Sequence, residues 1–226
     1  MSELLETIEI ETAPKPTAAV IWLHGLGADG NDFAPIVPEI DLRGLPGVRF
    51  VFPHAPKIPV TINNGYVMRA WYDVSFGDLE GKSRKPDQPG VRASQRAIEQ
   101  LIARENQRGI DTRRVVLAGF SQGGAIALQT GLRYAEQLAG IMALSTYLPL
   151  AETLPAEASA SNRNLPIYFA HGNYDPVIPI AMATASRAAL ETLGYAVEWH
   201  EYPMQHSVCP EEIRDIGAWL RRVLAH

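Results

Sequence analysis

One serine in the chain stands where a hydroxyl group can become a nucleophile. Ser121 is the centre of residues 119–123, which read Gly-Phe-Ser-Gln-Gly and follow a short apolar, β-branched run. From Ser121 onwards, apolar residues recur at helical spacing. Small residues around a serine permit the sharp strand-to-helix turn that lifts its side chain clear of a sheet. The pattern indicates a nucleophile, although a glycine-rich turn with an ordinary serine has the same letters.

A serine hydroxyl needs an imidazole to take its proton and a carboxylate to hold that imidazole. On a sheet with this turn, both partners are expected downstream, after later strands. Asp175 is the one acid so placed, because Glu191 lies on a predicted helix and Glu198 within a predicted strand. His206 alone lies between the last predicted strand and the last predicted helix. Each alone would be an ordinary cap or loop residue, but the order Ser121, Asp175, His206 predicts a catalytic triad.

Two backbone N–H groups are expected to complete this site. The turn after Ser121 places the N–H of Gln122 at a helix N-terminus, where it can stabilise a developing oxyanion. A glycine-dense loop at residues 24–30 follows a buried apolar run, and such a loop can turn its N–H groups into a cavity. The N–H of Leu26 is the predicted second donor, and a plain strand-to-helix turn is the alternative.

The elements that must position these groups alternate along the chain. Strands are predicted at 5–11, 18–23, 48–52, 115–119, 140–145, 165–170 and 195–202, and helices at about 31–40, 91–108, from 121, 179–193 and 210–224. This alternation predicts one α/β domain over residues 1–226, with a mostly parallel sheet and helices on both faces. In such sheets the ligand site lies at the carboxyl ends of the strands, where every candidate above falls.

Residues 54–90 interrupt the alternation with four prolines and a polar run that ends at Pro89. A hairpin is predicted at 60–62 and 66–68, and the rest as an irregular loop that is either disordered or a cap over the site. Trp71 and Tyr72 favour a cap, and a satellite core is the alternative. Five apolar residues in this cap or at strand ends are predicted to line the substrate pocket: Trp71, Tyr72, Tyr147, Leu148 and Val177.

Composition restricts the remaining possibilities. The 226 residues include 20 Lys and Arg against 25 Asp and Glu, a net charge of −5, which argues against nucleic acid or an anionic membrane as the main partner. The single cysteine, Cys209, excludes an intramolecular disulfide and a cysteine-based zinc site, and no spaced cluster predicts a metal or cofactor. An acidic N-terminus and the lack of a bilayer-length apolar run favour a cytoplasmic protein. The oligomeric state stays open.

Three further residues are interpreted as structural. His24 and His171 each precede a glycine at a strand end, and packing or loop orientation is the favoured role for both. Cys209 lies close to His206, but a buried structural thiol is favoured over a second nucleophile.

Several blocks of the chain resemble one known family. They are Trp-Leu-His-Gly-Leu-Gly at 22–27, Phe-Pro-His-Ala-Pro at 52–56, Trp-Tyr-Asp at 71–73, Ala-Gly-Phe-Ser-Gln-Gly-Gly at 118–124, Leu-Ser-Thr-Tyr at 144–147, His-Gly at 171–172 with Asp175, Tyr-Pro-Met at 202–204 with His206, and Asp-Ile-Gly-Ala-Trp-Leu at 215–220. The chain resembles the α/β-hydrolase superfamily and, within it, the small carboxylesterases grouped with acyl-protein thioesterases and lysophospholipases. The bacterial carboxylesterases are the branch that it resembles most.

The resemblance implies that Ser121, Asp175 and His206 are catalytic and that Leu26 and Gln122 are the oxyanion donors. One position departs from the family pattern, because Gln205 stands where glycine commonly precedes the histidine. The expected activity is a metal-free serine carboxylesterase that acts on a small-molecule ester or acylated substrate with an apolar acyl group. An acyl-protein thioesterase or lysophospholipase is the alternative, and an inactive hydrolase fold used as a binding module is the alternative from another class.

Overall fold

The structure is a computed structural model that describes residues 4–75 and 86–225. The strands of this part of the chain are β1 (Thr7–Glu11), β2 (Ala18–Leu23), β3 (Val48–Pro53), β4 (Lys57–Val60), β5 (Tyr66–Arg69), β6 (Val115–Phe120), β7 (Gly140–Leu144), β8 (Ile167–Gly172) and β9 (Val197–Tyr202). Its α-helices are α1 (Gln88–Gln107), α2 (Gln122–Gly131), α3 (Leu154–Glu157), α4 (Ile180–Thr192) and α5 (Pro210–Val223). Short 3₁₀ turns, including Ala34–Glu39, join them.

A seven-stranded sheet forms the centre of the fold, in the order β1-β3-β2-β6-β7-β8-β9. Only β1 runs antiparallel to its neighbour, β3, and every other pair is parallel. The predicted mostly parallel sheet is therefore confirmed. Because β6, β7, β8 and β9 are neighbours that run parallel, their carboxyl ends lie at one edge of the sheet.

Both faces of the sheet are covered, because successive residues of a strand point in opposite directions. On β2, Ala19, Ile21 and Leu23 pack into a core with residues of α1, α2 and α4. The intervening residues of the same strand pack into a second core with residues of α5 and the 3₁₀ turn Ala34–Glu39. A strand buried on both faces explains why β2 is a continuous apolar run rather than an alternating one.

Prolines explain where the local predictions differ from the structure. The helix predicted at about 31–40 is the 3₁₀ turn Ala34–Glu39, since Pro38 inside it cannot donate an α-helical hydrogen bond. The predicted hairpin exists, but its strands are β4 and β5, and Pro59 lies within β4. A two-stranded ribbon has two free edges, where a missing N–H costs no ladder hydrogen bond.

The helix predicted from residue 91 begins earlier, at Gln88. The Asp87 carboxylate accepts a hydrogen bond from the Gly90 N–H and caps α1, and Pro89 is tolerated in the first turn. Of the irregular loop predicted over residues 77–89, residues 77–85 lie outside the described residues. Across the described ranges, no helix combines the length and the apolar character needed to cross a bilayer.

Candidate active site

The turn that carries Ser121 is strained and held from several sides. Ser121 joins β6 to α2 with φ 55° and ψ −123°, a conformation that costs a residue other than glycine about 1–3 kcal/mol. Its N–H donates to the Leu144 carbonyl at 2.9 Å, and the Thr146 hydroxyl donates to its carbonyl at 2.6 Å. A Cβ atom on Gly123 would lie 2.5 Å from the His24 carbonyl oxygen, so only glycine lets the turn pack against the end of β2.

The predicted acid and base are in direct contact. Asp175 follows β8, His206 lies between β9 and α5, and His206 Nδ1 is 2.6 Å from Asp175 Oδ2. The other carboxylate oxygen of Asp175 accepts hydrogen bonds from the N–H groups of Val177 at 2.8 Å and Ile178 at 2.9 Å. Burial alone would raise the pKa of Asp175, but these hydrogen bonds outweigh it and hold the pKa below its ordinary value. The carboxylate is therefore ionised and oriented toward the imidazole.

The imidazole also lies beside the serine turn. The rings of His206 and Phe120, the residue before Ser121, have centroids 4.6 Å apart. A Cβ atom on Gly172 would lie 2.5 Å from the Met204 carbonyl oxygen, so glycine there permits the histidine loop to approach β8. The hydrogen bonds within residues 4–75 and 86–225 do not include one between Ser121 and His206. Such catalytic bonds often tighten only when substrate binds.

The two predicted oxyanion donors border the same cavity as Ser121. A Cβ atom on Gly25 would lie 3.4 Å from Ser121 Cβ, which brings the peptide that ends in the Leu26 N–H beside the nucleophile. Neither the Leu26 N–H nor the Gln122 N–H has an acceptor among the described residues. Two unpaired backbone N–H groups at the cavity beside a serine side chain are available to bind an oxyanion.

A small apolar cavity adjoins these groups. Its volume is about 70 Å³, and its lining consists of Leu26, Ile62, Tyr72, Val74, Ser121, Gln122, Tyr147, Val177 and Ile178. The Tyr72 and Tyr147 hydroxyl oxygens are 2.8 Å apart across it. A site that encloses a drug-sized ligand measures roughly 300–1,000 Å³. The cavity formed by the described residues is therefore smaller than such a site.

Two residues that were predicted to line the pocket, Trp71 and Leu148, do not border it, and the structure corrects both predictions. The Trp71 side chain is 2% exposed and points into the scaffold, where its indole N–H donates to the His24 carbonyl at 2.8 Å. Leu148 packs in the core, and its N–H donates to the Ser186 hydroxyl at 2.9 Å. Apolar character at a strand end does not distinguish a pocket wall from a core position.

Three lining residues were missed by the sequence analysis: Ile62, Val74 and Ile178. Ile62 and Val74 are joined through the backbone, since the Ile62 N–H donates to the Val74 carbonyl at 2.8 Å. Both are apolar residues within the proline-rich excursion, which is a signal that could have added them to the predicted cap. Ile178 follows Val177, but its residue type does not distinguish it from a core residue. Only the position of its loop places it at the cavity.

Trp71 instead connects the two halves of the anion site. Its backbone N–H donates to the Gln122 side-chain oxygen at 2.8 Å, and the Gln122 amide nitrogen donates to the Tyr72 carbonyl at 2.7 Å. The Ser94 hydroxyl donates to the Trp71 carbonyl. Gln122 thus clamps the excursion onto the serine turn through its buried side chain.

The glycine-dense loop has the letters of a second kind of site. Residues 25–30 read Gly-Leu-Gly-Ala-Asp-Gly, the spacing of dinucleotide-binding loops. Such loops hold a pyrophosphate at the N-terminus of a regular helix that opens at the last glycine. Here turns follow, and the next helical element is the 3₁₀ turn Ala34–Glu39. The loop therefore lacks the helix that phosphate binding needs, and the described residues contain no group of three His, Cys, Asp or Glu suited to a metal.

A larger cavity, of about 760 Å³, lies at the opposite end of the sheet, around Ala139, Pro166 and Trp219. Its charged residues include Glu198 and Arg222, which form an ion pair with each other. None of the groups described above borders it, so its size does not make it the reactive site.

A strained serine turn after one parallel strand, with an acid and a histidine in the loops after later strands, defines the α/β-hydrolase fold. Comparison with known proteins narrows this class. The family model described as Phospholipase/Carboxylesterase matches residues 6–224, and the chain belongs to that family.

Similar proteins agree with this assignment. The chain is 41% identical to acyl-protein thioesterase 1 of Neurospora crassa, over 93% of this chain and 89% of that protein. It is 39% identical to acyl-protein thioesterase 1 of Gibberella zeae, over 94% of this chain and 93% of that protein. The crystal structure of Arabidopsis thaliana SOBER1 matches with a TM-score of 0.84 and 30% identity, over 92% of this chain and 99% of that one. The protein is a hydrolase of ester or thioester bonds.

These relatives are eukaryotic, two fungal and one plant. The comparisons therefore support the family, whereas the bacterial branch that the sequence favours stays a prediction.

Proposed function

We propose that the protein is a serine esterase that cleaves carboxylic esters with an apolar acyl group through an acyl-enzyme. The observation that carries the proposal is the 2.6 Å contact between His206 Nδ1 and the Asp175 carboxylate, at the same edge of the sheet as the strained turn of Ser121. An ionised, buried carboxylate that holds one imidazole nitrogen prepares the other nitrogen to accept a proton.

The first half of the reaction forms the acyl-enzyme. Asp175 accepts a hydrogen bond from the Nδ1–H group of His206 and stays ionised, so Nε2 is the basic nitrogen. As Ser121 Oγ attacks the ester carbonyl carbon, Nε2 takes the hydroxyl proton and the carbonyl oxygen becomes an oxyanion. The N–H groups of Leu26 and Gln122 stabilise that oxyanion, each by a factor of roughly 10²–10³ in rate. His206 then protonates the leaving alkoxide, and the alcohol departs.

The second half of the reaction releases the acid. A water molecule attacks the acyl-enzyme carbonyl while His206 takes its proton, and the same two N–H groups hold the second oxyanion. His206 returns the proton to Ser121 Oγ as the carboxylic acid leaves. The acyl group occupies the apolar cavity beside Tyr72 and Val177 during both halves. Because that cavity is small, short acyl groups are the preferred substrates.

A thioesterase that removes acyl groups from protein cysteines is the second candidate. It is supported by two relatives, 39% and 41% identical, that carry the name acyl-protein thioesterase 1. The proposed triad and oxyanion donors serve a thioester as well as an ester, and the lysophospholipase alternative uses the same groups. Competition among a p-nitrophenyl ester, an acyl-peptide thioester and a lysolipid on one enzyme preparation would rank the three activities by their kcat/KM values.

The proposal is tested by labelling the nucleophile. A fluorophosphonate probe should modify Ser121, and Ser121→Ala should abolish both labelling and ester hydrolysis. Ser159→Ala is a matched control, because Ser159 lies in a loop away from the site and its side chain makes no hydrogen bond to the described residues. Hydrolysis that persists in Ser121→Ala would refute the proposal. A protein that neither reacts with the probe nor turns over would support the inactive binding module.

The remaining sequence-based predictions keep that status and have direct tests. Cell fractionation would test the cytoplasmic location, and sedimentation would measure the oligomeric state that the sequence leaves open. A single unfolding transition would support one domain over residues 1–226. Activity that persists in the presence of chelators and without added cofactors would support the predicted independence from metals and cofactors. A protein that does not bind nucleic acid in a gel-shift assay would support the prediction about nucleic acids.

A further inference from the structure

His24 stands beside the oxyanion site without belonging to the proposed triad. Its side chain follows β2, and the residue is 1% exposed. The Ala55 N–H donates to His24 Nε2 at 3.0 Å. Since a backbone N–H is only a donor, Nε2 carries no proton, and the proton of the neutral ring is on Nδ1. Nδ1 is 2.7 Å from the Gly25 carbonyl oxygen, so it donates to that carbonyl.

The surroundings of the ring keep it neutral. Burial lowers the pKa of His24 to about 4, against the opposing effects of the Gly25 carbonyl and the Asp29 carboxylate. The positive charge of Arg69 and the nearby His54 act in the same direction as burial. The tautomer set by Ala55 therefore persists at neutral pH.

The carbonyl that His24 holds is half of a peptide unit whose other half is the Leu26 N–H, the proposed oxyanion donor. The Gly25 C=O and the Leu26 N–H belong to one planar trans peptide, so they point in opposite directions and rotate together. The Ala28 N–H also donates to the Gly25 oxygen, at 3.3 Å. A hydrogen bond to the carbonyl end of a peptide also polarises its N–H end. Holding the Gly25 oxygen thus fixes both the direction and the strength of the Leu26 donor.

We propose that His24 is a positioning residue that aims the Leu26 N–H at the oxyanion by binding the Gly25 carbonyl. The inference rests on the proposed function, in which Leu26 is an oxyanion donor. Trp71 holds the preceding peptide, because its indole N–H donates to the His24 carbonyl, and its ring centroid lies 5.2 Å from that of the imidazole. Trp71 also binds the Gln122 side chain, so one buried bridge aligns both donors.

The test separates the two nitrogens of the ring. In His24→Asn the amide nitrogen occupies nearly the place of Nδ1 and can still donate to Gly25, whereas the contact with Ala55 is lost. In His24→Gln the amide reaches the place of Nε2 and can accept from Ala55, whereas the contact with Gly25 is lost. The expected kcat for p-nitrophenyl butyrate stays within about fivefold of wild type in His24→Asn. It falls by about 10–100-fold in His24→Gln with KM nearly unchanged, less than the loss of a whole oxyanion donor.

His54→Asn is the matched control for general loosening of this loop. The Gly30 N–H donates to His54 Nδ1 at 3.1 Å, so His54 anchors the loop away from the Leu26 peptide. We expect its kcat to stay within about threefold of wild type, because no oxyanion donor is released. An equal fall of kcat in all three variants would overturn the inference in favour of a purely structural loop anchor.

The remaining outcomes are equally decisive. Equal activity of His24→Asn and His24→Gln, or a larger loss in His24→Asn, would overturn the inference while Ser121-dependent hydrolysis remained intact. Hydrolysis that does not depend on Ser121 would overturn the proposed function and this inference together. If a variant does not fold, ¹⁵N NMR of the wild-type imidazole decides: a neutral ring protonated at Nδ1 from pH 8 to pH 5 supports the inference, and protonation at Nε2 overturns it.

Discussion

Glu212 offers a stability prediction that is independent of the active site. It is the third residue of α5, its side chain is fully buried, and neither carboxyl oxygen has a hydrogen-bond partner among the described residues. Burial raises the pKa of Glu212 to about 8, and the negative charge of Asp215 adds to this effect. The nearby Cys209 backbone N–H acts in the opposite direction without reaching hydrogen-bond geometry, and burial outweighs it. The carboxyl is therefore mainly protonated at neutral pH.

The sign and size of the effect follow from linkage. The pKa is about 8 in the folded protein and near the ordinary 4.5 in the unfolded chain, so the folded state binds the proton more tightly. The free energy of unfolding therefore falls as pH rises from 4.5 to 8, and the full penalty is present above pH 8. The gap between the two pKa values corresponds to about 5 kcal/mol. Glu212→Gln should remove that penalty, because a neutral amide of similar shape has no charge to bury.

Urea unfolding at pH 5, 7 and 9 would measure the effect. At pH 5 the variant and the wild type should have similar stability, and at pH 9 the variant should be more stable by several kcal/mol. Glu211→Gln is the matched control, because the neighbouring Glu211 is exposed and should show no such gain. Parallel curves for Glu212→Gln and the wild type across this pH range, or a variant that is less stable at pH 9, would refute the reasoning.

Three other substitutions have expected outcomes. Asp175→Asn should lower kcat by about 10⁴-fold with KM little changed, because an amide favours the wrong tautomer of His206; a loss under tenfold in steady-state kinetics would contradict the triad. Ile62→Ala should widen the cavity and shift the preference toward longer acyl groups, and an unchanged profile across a series of p-nitrophenyl esters would remove Ile62 from the acyl site. Glu105→Gln should lower the free energy of unfolding by about 3–5 kcal/mol, since it removes the negative charge that lies 2.6 Å from the buried Arg49 guanidinium. Denaturation curves would measure that loss, and a loss below 1 kcal/mol would show that Glu11 compensates.

Local sequence patterns predicted the central sheet correctly, but they did not predict which side chains line the pocket. The mostly parallel sheet was expected from the spacing of apolar runs, and the structure confirms it. Trp71 and Leu148 were placed on the pocket wall because they are apolar and lie near strand ends, yet both side chains are turned into the scaffold. Hydrophobicity reports that a side chain avoids water, and a core and an apolar pocket satisfy that requirement equally. The direction of a loop side chain is decided by partners such as the His24 carbonyl, which lies 47 residues from Trp71.

The sequence by itself determined the serine turn and the burial of β2. Glycines two residues before and after Ser121 are required by the close backbone packing of that turn, and a continuous apolar run is required of a strand covered on both faces. Only the tertiary structure decided that the His206 imidazole meets the Asp175 carboxylate across 31 residues, and that the imidazole of His24 holds the Gly25 carbonyl while the Ala55 N–H sets its tautomer. Those contacts depend on the order of the strands and on the packing of distant loops, because hydrogen bonds depend on atomic positions that no local spacing of residues specifies.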